Sequence, residues 1–336
     1  MNAARKPRDR REAARMLVVD TREKRIEEST AARLSTFLQS GDLLIVNDAA
    51  SLPAALHTND GTLELRLLGA IDNSRAEAIA FGPGDWRQRT EDRPAPRTLV
   101  AHEQLEFQGG LRAHIDEVFR DSPRHVLLHF EQRGAELFSA IYRAGKPVQY
   151  SYLEGPLALW DVQTAYAARP WSAEMPSAGA SLSFGVLKSL RDRGVHLATL
   201  THAAGLSSTG DAALDARLPL TERYEIPEET VRAISEAKKR GAQIIAVGTT
   251  VVRALEGSAE QHGELHAGAG STNLHLGPGY SLKVVNALFT GVHDPTASHF
   301  ALLAAFASQQ LLKQVSAEAE TRGFLGHEFG DVCLFL

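Results

Sequence analysis

The spacing of apolar residues changes period twice along this chain. Residues 16–20 and 43–46 are apolar runs of strand length. Between them, residues 30–39 place Leu34, Phe37 and Leu38 on one face of a short helix, and Gly41-Asp42 makes the turn into the second strand. From Thr62 the period becomes two, with Leu63, Leu65 and Leu67 alternating with Glu64 and Arg66. Similar short runs follow at 76–81, 104–107, 111–119 and 125–130. Such spacing predicts a small antiparallel β-barrel, and the turn chemistry from Gly82 to Pro96 predicts a loop between its strands. Past residue 150 the longer period returns, with helices expected over 184–193, 227–240, 249–262 and 297–320 and strands over 195–201 and 244–247. Phe300, Leu303, Phe306, Leu311 and Leu312 give the last helix a broad apolar face. The expected fold is α/β: a large mixed α/β domain built from residues 1–57 and 150–336, with a small antiparallel β-barrel domain inserted over 58–149.

Composition changes this picture little. A chain of 336 residues, 43% apolar and 23% charged, has ordinary globular values. No run approaches a membrane span and no signal-type segment follows the first residues, so a cytoplasmic location with no membrane partner is expected. The single cysteine, Cys333, excludes an intrachain disulfide and a cysteine-based zinc site, and its neighbours Val332 and Leu334 predict a buried thiol. A formal charge of −5 gives no global attraction for nucleic acid, so RNA contact requires a local patch. One basic arm offers it, with Arg5, Lys6, Arg8, Arg10, Arg11 and Arg15 against Asp9 and Glu12.

The candidate chemistry is concentrated late in the chain. An apolar strand, 244–247, breaks at Gly248 into Thr249 and Thr250 and then a helix, the way open α/β sheets place ligand-binding groups at strand ends. Free N–H groups and the helix dipole there favour an anionic or polar ligand; the plainer reading is a hydroxyl cap that only starts the helix. Downstream come Pro278-Gly279-Tyr280-Ser281-Leu282-Lys283 and His293-Asp294-Pro295.

Taken in order with Gly41-Asp42 through Asn47-Asp48, Gln163 to Tyr166, Pro176-Ser177-Ala178-Gly179, Glu222-Arg223-Tyr224, Gly248 to Arg253 and Phe329-Gly330-Asp331, these segments span nearly the whole chain. Their order resembles the S-adenosylmethionine:tRNA ribosyltransferase-isomerases of queuosine biosynthesis. The resemblance implies a large α/β domain with an inserted β-barrel. It implies S-adenosylmethionine as ribosyl donor and co-substrate, a 7-aminomethyl-7-deazaguanine base in tRNA as acceptor, release of adenine and methionine, and no metal or prosthetic group. The sulfonium acidifies the neighbouring C5′ proton, so a positioned general base starts the reaction.

Under this resemblance Glu222 is the first candidate for that base or for a carboxylate facing the sulfonium, with Asp331 as the alternative. His293 bonds the ligand or closes a turn. Thr249 and Thr250 hold the methionine carboxylate, with Arg253 assisting if it turns inward; otherwise Arg253 pairs with Glu256 at helical spacing. Tyr280 stacks on adenine, Lys283 meets a phosphate, Tyr224 lies among the substrate-binding residues, and Asn47 and Asp48 contact a ribose hydroxyl or cap a turn.

The chain also departs from the family pattern. Alanine stands at Ala50 and Ala55 where arginines are usual, removing anion-binding capacity of the kind tRNA needs. Ala180-Ser181-Leu182 replaces a histidine-containing triplet, Arg217 and Leu220 replace two further histidines, and Phe329 replaces a tyrosine. His202 stands one position before the expected histidine, and on a strand such a shift predicts the opposite face. Three readings follow: the family reaction on tRNA, the same donor used on a non-tRNA acceptor, and a noncatalytic binder of adenosyl compounds or RNA.

Overall fold

The computed structural model describes residues 2–293 and 298–336. Its frame is a nine-stranded sheet with the strand order Gly268–Thr272, Glu222–Ile226, His196–His202, Leu43–Asn47, Ile244–Val247, Ala287–Gly291, Val332–Phe335, Arg15–Asp20 and Arg25–Thr30. The four strands from His196–His202 to Ala287–Gly291 run parallel. Alternation sorts each strand between two cores: Leu43 and Ile45 enter one, Leu44 and Val46 the other, and Ile244 and Ala246 are likewise opposed to Ile245 and Val247. Helices Glu228–Lys239, Thr249–His262 and Gln309–Thr321 cover the first face. Helix Phe184–Asp192 and the 3-10 turns Ala31–Phe37 and Ser177–Ser181 cover the second. Burial on both faces is why these strands read as continuous apolar runs.

A second, six-stranded antiparallel sheet has the order Ala55–His57, Glu64–Leu67, Arg75–Phe81, His125–Phe130, Arg112–Val118, Gln104–Glu106. It curls until its outer strands touch through the Thr58–Phe107 bridge and an Asn59 N–H to Glu106 carbonyl bond of 2.9 Å. Leu56, Leu65, Phe81, Phe107 and Phe130 fill its concave side, and helix Gly134–Ala144 closes one end with Leu137, Ala140 and Ile141.

Some expectations needed revision. The helix expected over 30–39 is the 3-10 helix Ala31–Phe37, and a strand not expected from the sequence, Arg25–Thr30, leads into it. The single helix expected over 297–320 is two, Ser298–Leu303 and Gln309–Thr321; the second restarts where the Ser308 hydroxyl caps the Leu311 N–H at 3.3 Å. Asp294, Pro295 and Ala297 lie outside the described residues. Cys333 is buried, and burial, followed by the nearby Asp331, pushes its thiol up to about 12. Among the described residues no helix is long and apolar enough to cross a membrane. The basic arm is engaged in part: Arg8 pairs with the buried Asp331, Arg15 with Glu28, and Arg11 donates to the Trp160 carbonyl at 2.9 Å, while the exposed Arg5 and Arg10 pair at the surface with Glu154 and Glu12.

Candidate functional site

The parallel strands end together at Asn47, His202, Val247 and Gly291, and a cavity of about 630 Å³ opens at that edge. Gly248, with φ of +90°, makes the turn that aims the start of helix Thr249–His262 into it, a backbone conformation that side chains with a Cβ rarely adopt. Thr249, Thr250 and Arg253 line the cavity from this helix, Glu222 from the neighbouring strand, and His293 from beyond Gly291.

Arg253 turns inward. Its Nε and Nη2 donate to Glu222 Oε2 at 3.0 and 2.5 Å, and Glu222 Oε1 accepts the Gly205 N–H at 3.0 Å. His202, fully buried, stands with Nε2 3.5 Å from the same Glu222 oxygen, and neither ring nitrogen has a hydrogen-bond partner. Burial raises the Glu222 pKa, but Arg253, then His202 and the Gly205 N–H, outweigh it and hold the carboxyl below its usual range. Burial first, with Arg253 adding to it, drives His202 down to about 4 although Glu222 opposes the shift. At neutral pH the cluster is therefore a carboxylate, a guanidinium and a neutral imidazole.

The alternative pairing of Arg253 with Glu256 does not form. Glu256 is buried and accepts three successive backbone N–H groups, from Lys283, Val284 and Val285, at 2.8, 2.9 and 3.0 Å.

The remaining sequence candidates are not brought into the cavity. Asn47 stands behind Thr250, 3.4 Å from its hydroxyl, with its amide used by the His202 backbone at 2.9 Å in both directions and by the Ala49 N–H at 3.0 Å. Asp48 accepts from the Thr201 hydroxyl at 2.6 Å, and burial raises its pKa. Tyr224 lies two residues along the strand from Glu222, beneath helix Thr249–His262, with its hydroxyl 3.4 Å from Gln261. Tyr280 and Lys283 both reach Glu260, at 3.4 and 2.5 Å, on the outer side of that helix. Asp331 is buried and its oxygens are taken by Arg8 at 2.7 Å and by the Arg15 and Leu325 N–H groups at 2.8 Å, which leaves it a structural tie.

Three features escaped the sequence. His202 pairs in register with Tyr224, and Glu222, two residues from Tyr224, shares that face, so the histidine that stands one position early still approaches this carboxylate. The cavity also holds two acids, Glu174 and Glu328. Glu174 accepts from the Tyr150 hydroxyl and from the Ser207 N–H at 2.8 Å, while Glu328 accepts from the Tyr152 hydroxyl. The two tyrosine rings stack 6.1 Å apart at 13°. Burial, then repulsion from Glu328, pushes Glu174 up to about 7, and burial also raises Glu328. Their one sequence signal is position, since each lies just before a quoted motif, at Pro176 and at Phe329.

Compared with known proteins, residues 1–335 match the family model described as queuosine biosynthesis protein. The chain is 33% identical to the S-adenosylmethionine:tRNA ribosyltransferase-isomerase of Sorangium cellulosum, covering 98% of this chain and 94% of the relative. It is 31% identical to the enzyme so named from Parvibaculum lavamentivorans, over 98% and 94% of the two chains. The Thermus thermophilus enzyme of that name is 32% identical over 97% and 93%. A crystal structure of S-adenosylmethionine tRNA ribosyltransferase from Thermotoga maritima has the same fold, with a TM-score of 0.55, 24% identity and coverage of 99% of this chain and 96% of that one.

Proposed function

The chain belongs to the queuosine biosynthesis protein family, and from that premise we propose that it is an S-adenosylmethionine-dependent ribosyltransferase-isomerase. It transfers and isomerises the ribosyl group of S-adenosylmethionine onto a 7-aminomethyl-7-deazaguanine base in tRNA, releasing adenine and methionine. The observation that carries this reading is the buried Glu222–Arg253 pair at the wall of a 630 Å³ cavity, beside the threonines of a helix N-terminus. A cavity of this size suits a nucleoside-sized ligand.

The donor is a zwitterion with a third charge, and the site meets it group by group. Its methionine carboxylate fits the free N–H groups at Thr249 and Thr250, with Arg253 as the cationic partner. Its sulfonium then falls to Glu222. A ligand carboxylate that draws Arg253 away removes the main influence holding the Glu222 pKa down, so the carboxylate becomes more basic when the C5′ proton must leave. His202, neutral and unbonded behind Glu222, is placed to take a hydrogen bond or share that proton.

A second reading, the same donor with a non-tRNA acceptor, draws on two observations. Ala50 and Ala55 leave no guanidinium at those positions, and Arg8 and Arg15 of the basic arm are taken by Asp331 and Glu28. Incubation with S-adenosylmethionine, with and without tRNA carrying the aminomethyl-deazaguanine, separates the readings through adenine release. Release only with that tRNA supports the first, and release with a smaller amine acceptor supports the second. Donor binding without adenine release under any condition overturns both.

A further inference from the structure

On the outer face of the curled sheet two histidines and one aspartate converge. His114 on strand Arg112–Val118 is the direct cross-strand partner of His129 on His125–Phe130. Their neighbours Ala113, Ile115, Leu128 and Phe130 fill the concave core, so alternation turns both imidazoles outward, with rings 4.9 Å apart. Asp116 joins them because the register shifts between Ile115 and Glu117, leaving Asp116 as the extra residue of a bulge, a device that re-aims a side chain. Its Oδ1 lies 2.9 Å from His114 Nε2 and its Oδ2 3.6 Å from His129 Nδ1. One ligand atom from each of the three residues lies within 4.8 Å of the others.

From this geometry we infer a binding site for a borderline divalent transition ion, of which zinc is the type, formed by His114, Asp116 and His129. Two imidazoles and one carboxylate are the donor set that favours such an ion over magnesium or calcium, and three protein ligands leave a position for water. Metal–ligand bonds of about 2.0–2.2 Å require the donor atoms to draw in by roughly an ångström, which rotation of partly exposed side chains supplies. Arg75, in register with His129, holds Asp116 Oδ2 at 2.7 Å and is the cation the ion must displace or share with. The bound ion ties two adjacent strands across the bulge, where their backbone pairing is interrupted.

The test is calorimetric titration of the full chain with zinc chloride after chelator treatment, repeated with cobalt to read the visible absorption of a site of low coordination number. The expected result is saturation near one equivalent. His114→Asn, His129→Asn and Asp116→Asn should each weaken binding by about tenfold or more, and Arg75→Gln should strengthen it severalfold by releasing the aspartate. Far-ultraviolet circular dichroism and the melting temperature of each metal-free variant establish that it is folded. Absence of saturable binding overturns the inference. So does binding unchanged by all three ligand substitutions, which would place the ion elsewhere, for instance at the His262–His266 ring pair.

Discussion

Among the described residues two glutamates, Glu64 and Glu222, are buried against arginine and near histidine, and Glu222 lines the 630 Å³ cavity while Glu64 does not. In the curled sheet, Glu64 accepts from Arg66 Nε at 2.7 Å and from Arg93 Nη1 at 2.6 Å, with His57 3.6 Å away. At the edge of the large sheet, Glu222 is held by Arg253, with His202 at 3.5 Å. Both carboxyls are pulled below their usual range by their arginines despite burial. The difference is access and surplus charge. Glu64 is matched by two guanidinium groups that also lie over the Phe81 ring, at 4.6 and 5.4 Å, and the cluster is closed off as part of a core. Glu222 has a single arginine, reached by the same cavity as a helix N-terminus, so a ligand can exchange with it. A buried ion pair alone is weak evidence of function; one whose partner can be traded for a ligand is better evidence.

The sharpest break of this comparison is Glu222→Gln against Glu64→Gln. The first should lower the rate of adenine release by roughly 100- to 10,000-fold, and the second should leave the rate per folded molecule within about twofold. Equal losses at both positions would mean that the Glu222 effect is structural. Next in size is stability. Glu64→Gln leaves two buried guanidinium groups facing one neutral amide, and urea unfolding should show a cost of about 3–5 kcal/mol. A cost below about 1 kcal/mol would show that the barrel cluster is hydrated.

The pH dependence separates the Glu222 cluster from the cavity acids Glu174 and Glu328. His202 has a folded pKa of about 4 against the usual 6.5, so the unfolded chain takes up its proton first. Its contribution to stability is intact above pH 6.5 and is lost as pH falls toward 4, by at most about 3 kcal/mol, in the same direction as Glu222. His202→Gln should flatten this acid limb. Glu174 has the opposite sign. Its folded pKa of about 7 lies above the usual 4.5, so its contribution is full below 4.5 and is lost as pH rises through 7. Glu174→Gln should reduce the loss between pH 5 and 8 by about 2–3 kcal/mol, the smallest of these effects, measured by urea unfolding at both pH values.

Local pattern made three of the four parallel strands and five of the six barrel strands legible, because alternation and apolar runs are set within a few residues; Ala287–Gly291 and Ala55–His57 were not among them. Strand Glu222–Ile226 was missed, since its exposed Arg223 and partly exposed Glu225 dilute the apolar signal, and with it the face of Glu222. Helix Gly134–Ala144 was missed too, although Leu137, Ala140, Ile141 and Ala144 have helical spacing. At the site, Thr249, Thr250, Arg253, Glu222 and His293 share the cavity, and all of them came from motifs. Glu174 and Glu328 belong to distant segments that only the folded chain brings to one wall, and no spacing rule links them. The approach of His202 to Glu222 has the same root: which residues a strand side chain meets depends on the register of a neighbour that the sequence does not specify.

The order of strands also bears on how the chain assembles as it is made. Strand Val332–Phe335 sits between Arg15–Asp20, near the amino terminus, and Ala287–Gly291. Strand Arg15–Asp20 therefore leaves the ribosome some three hundred residues before the neighbour that joins it to the main sheet. Throughout that interval it has only the hairpin with Arg25–Thr30, and once Ala287–Gly291 has been made it too presents an unpaired edge. Completion of the large sheet is a late, long-range event, and the nascent chain carries two open edges that a chaperone or a neighbouring chain can engage first.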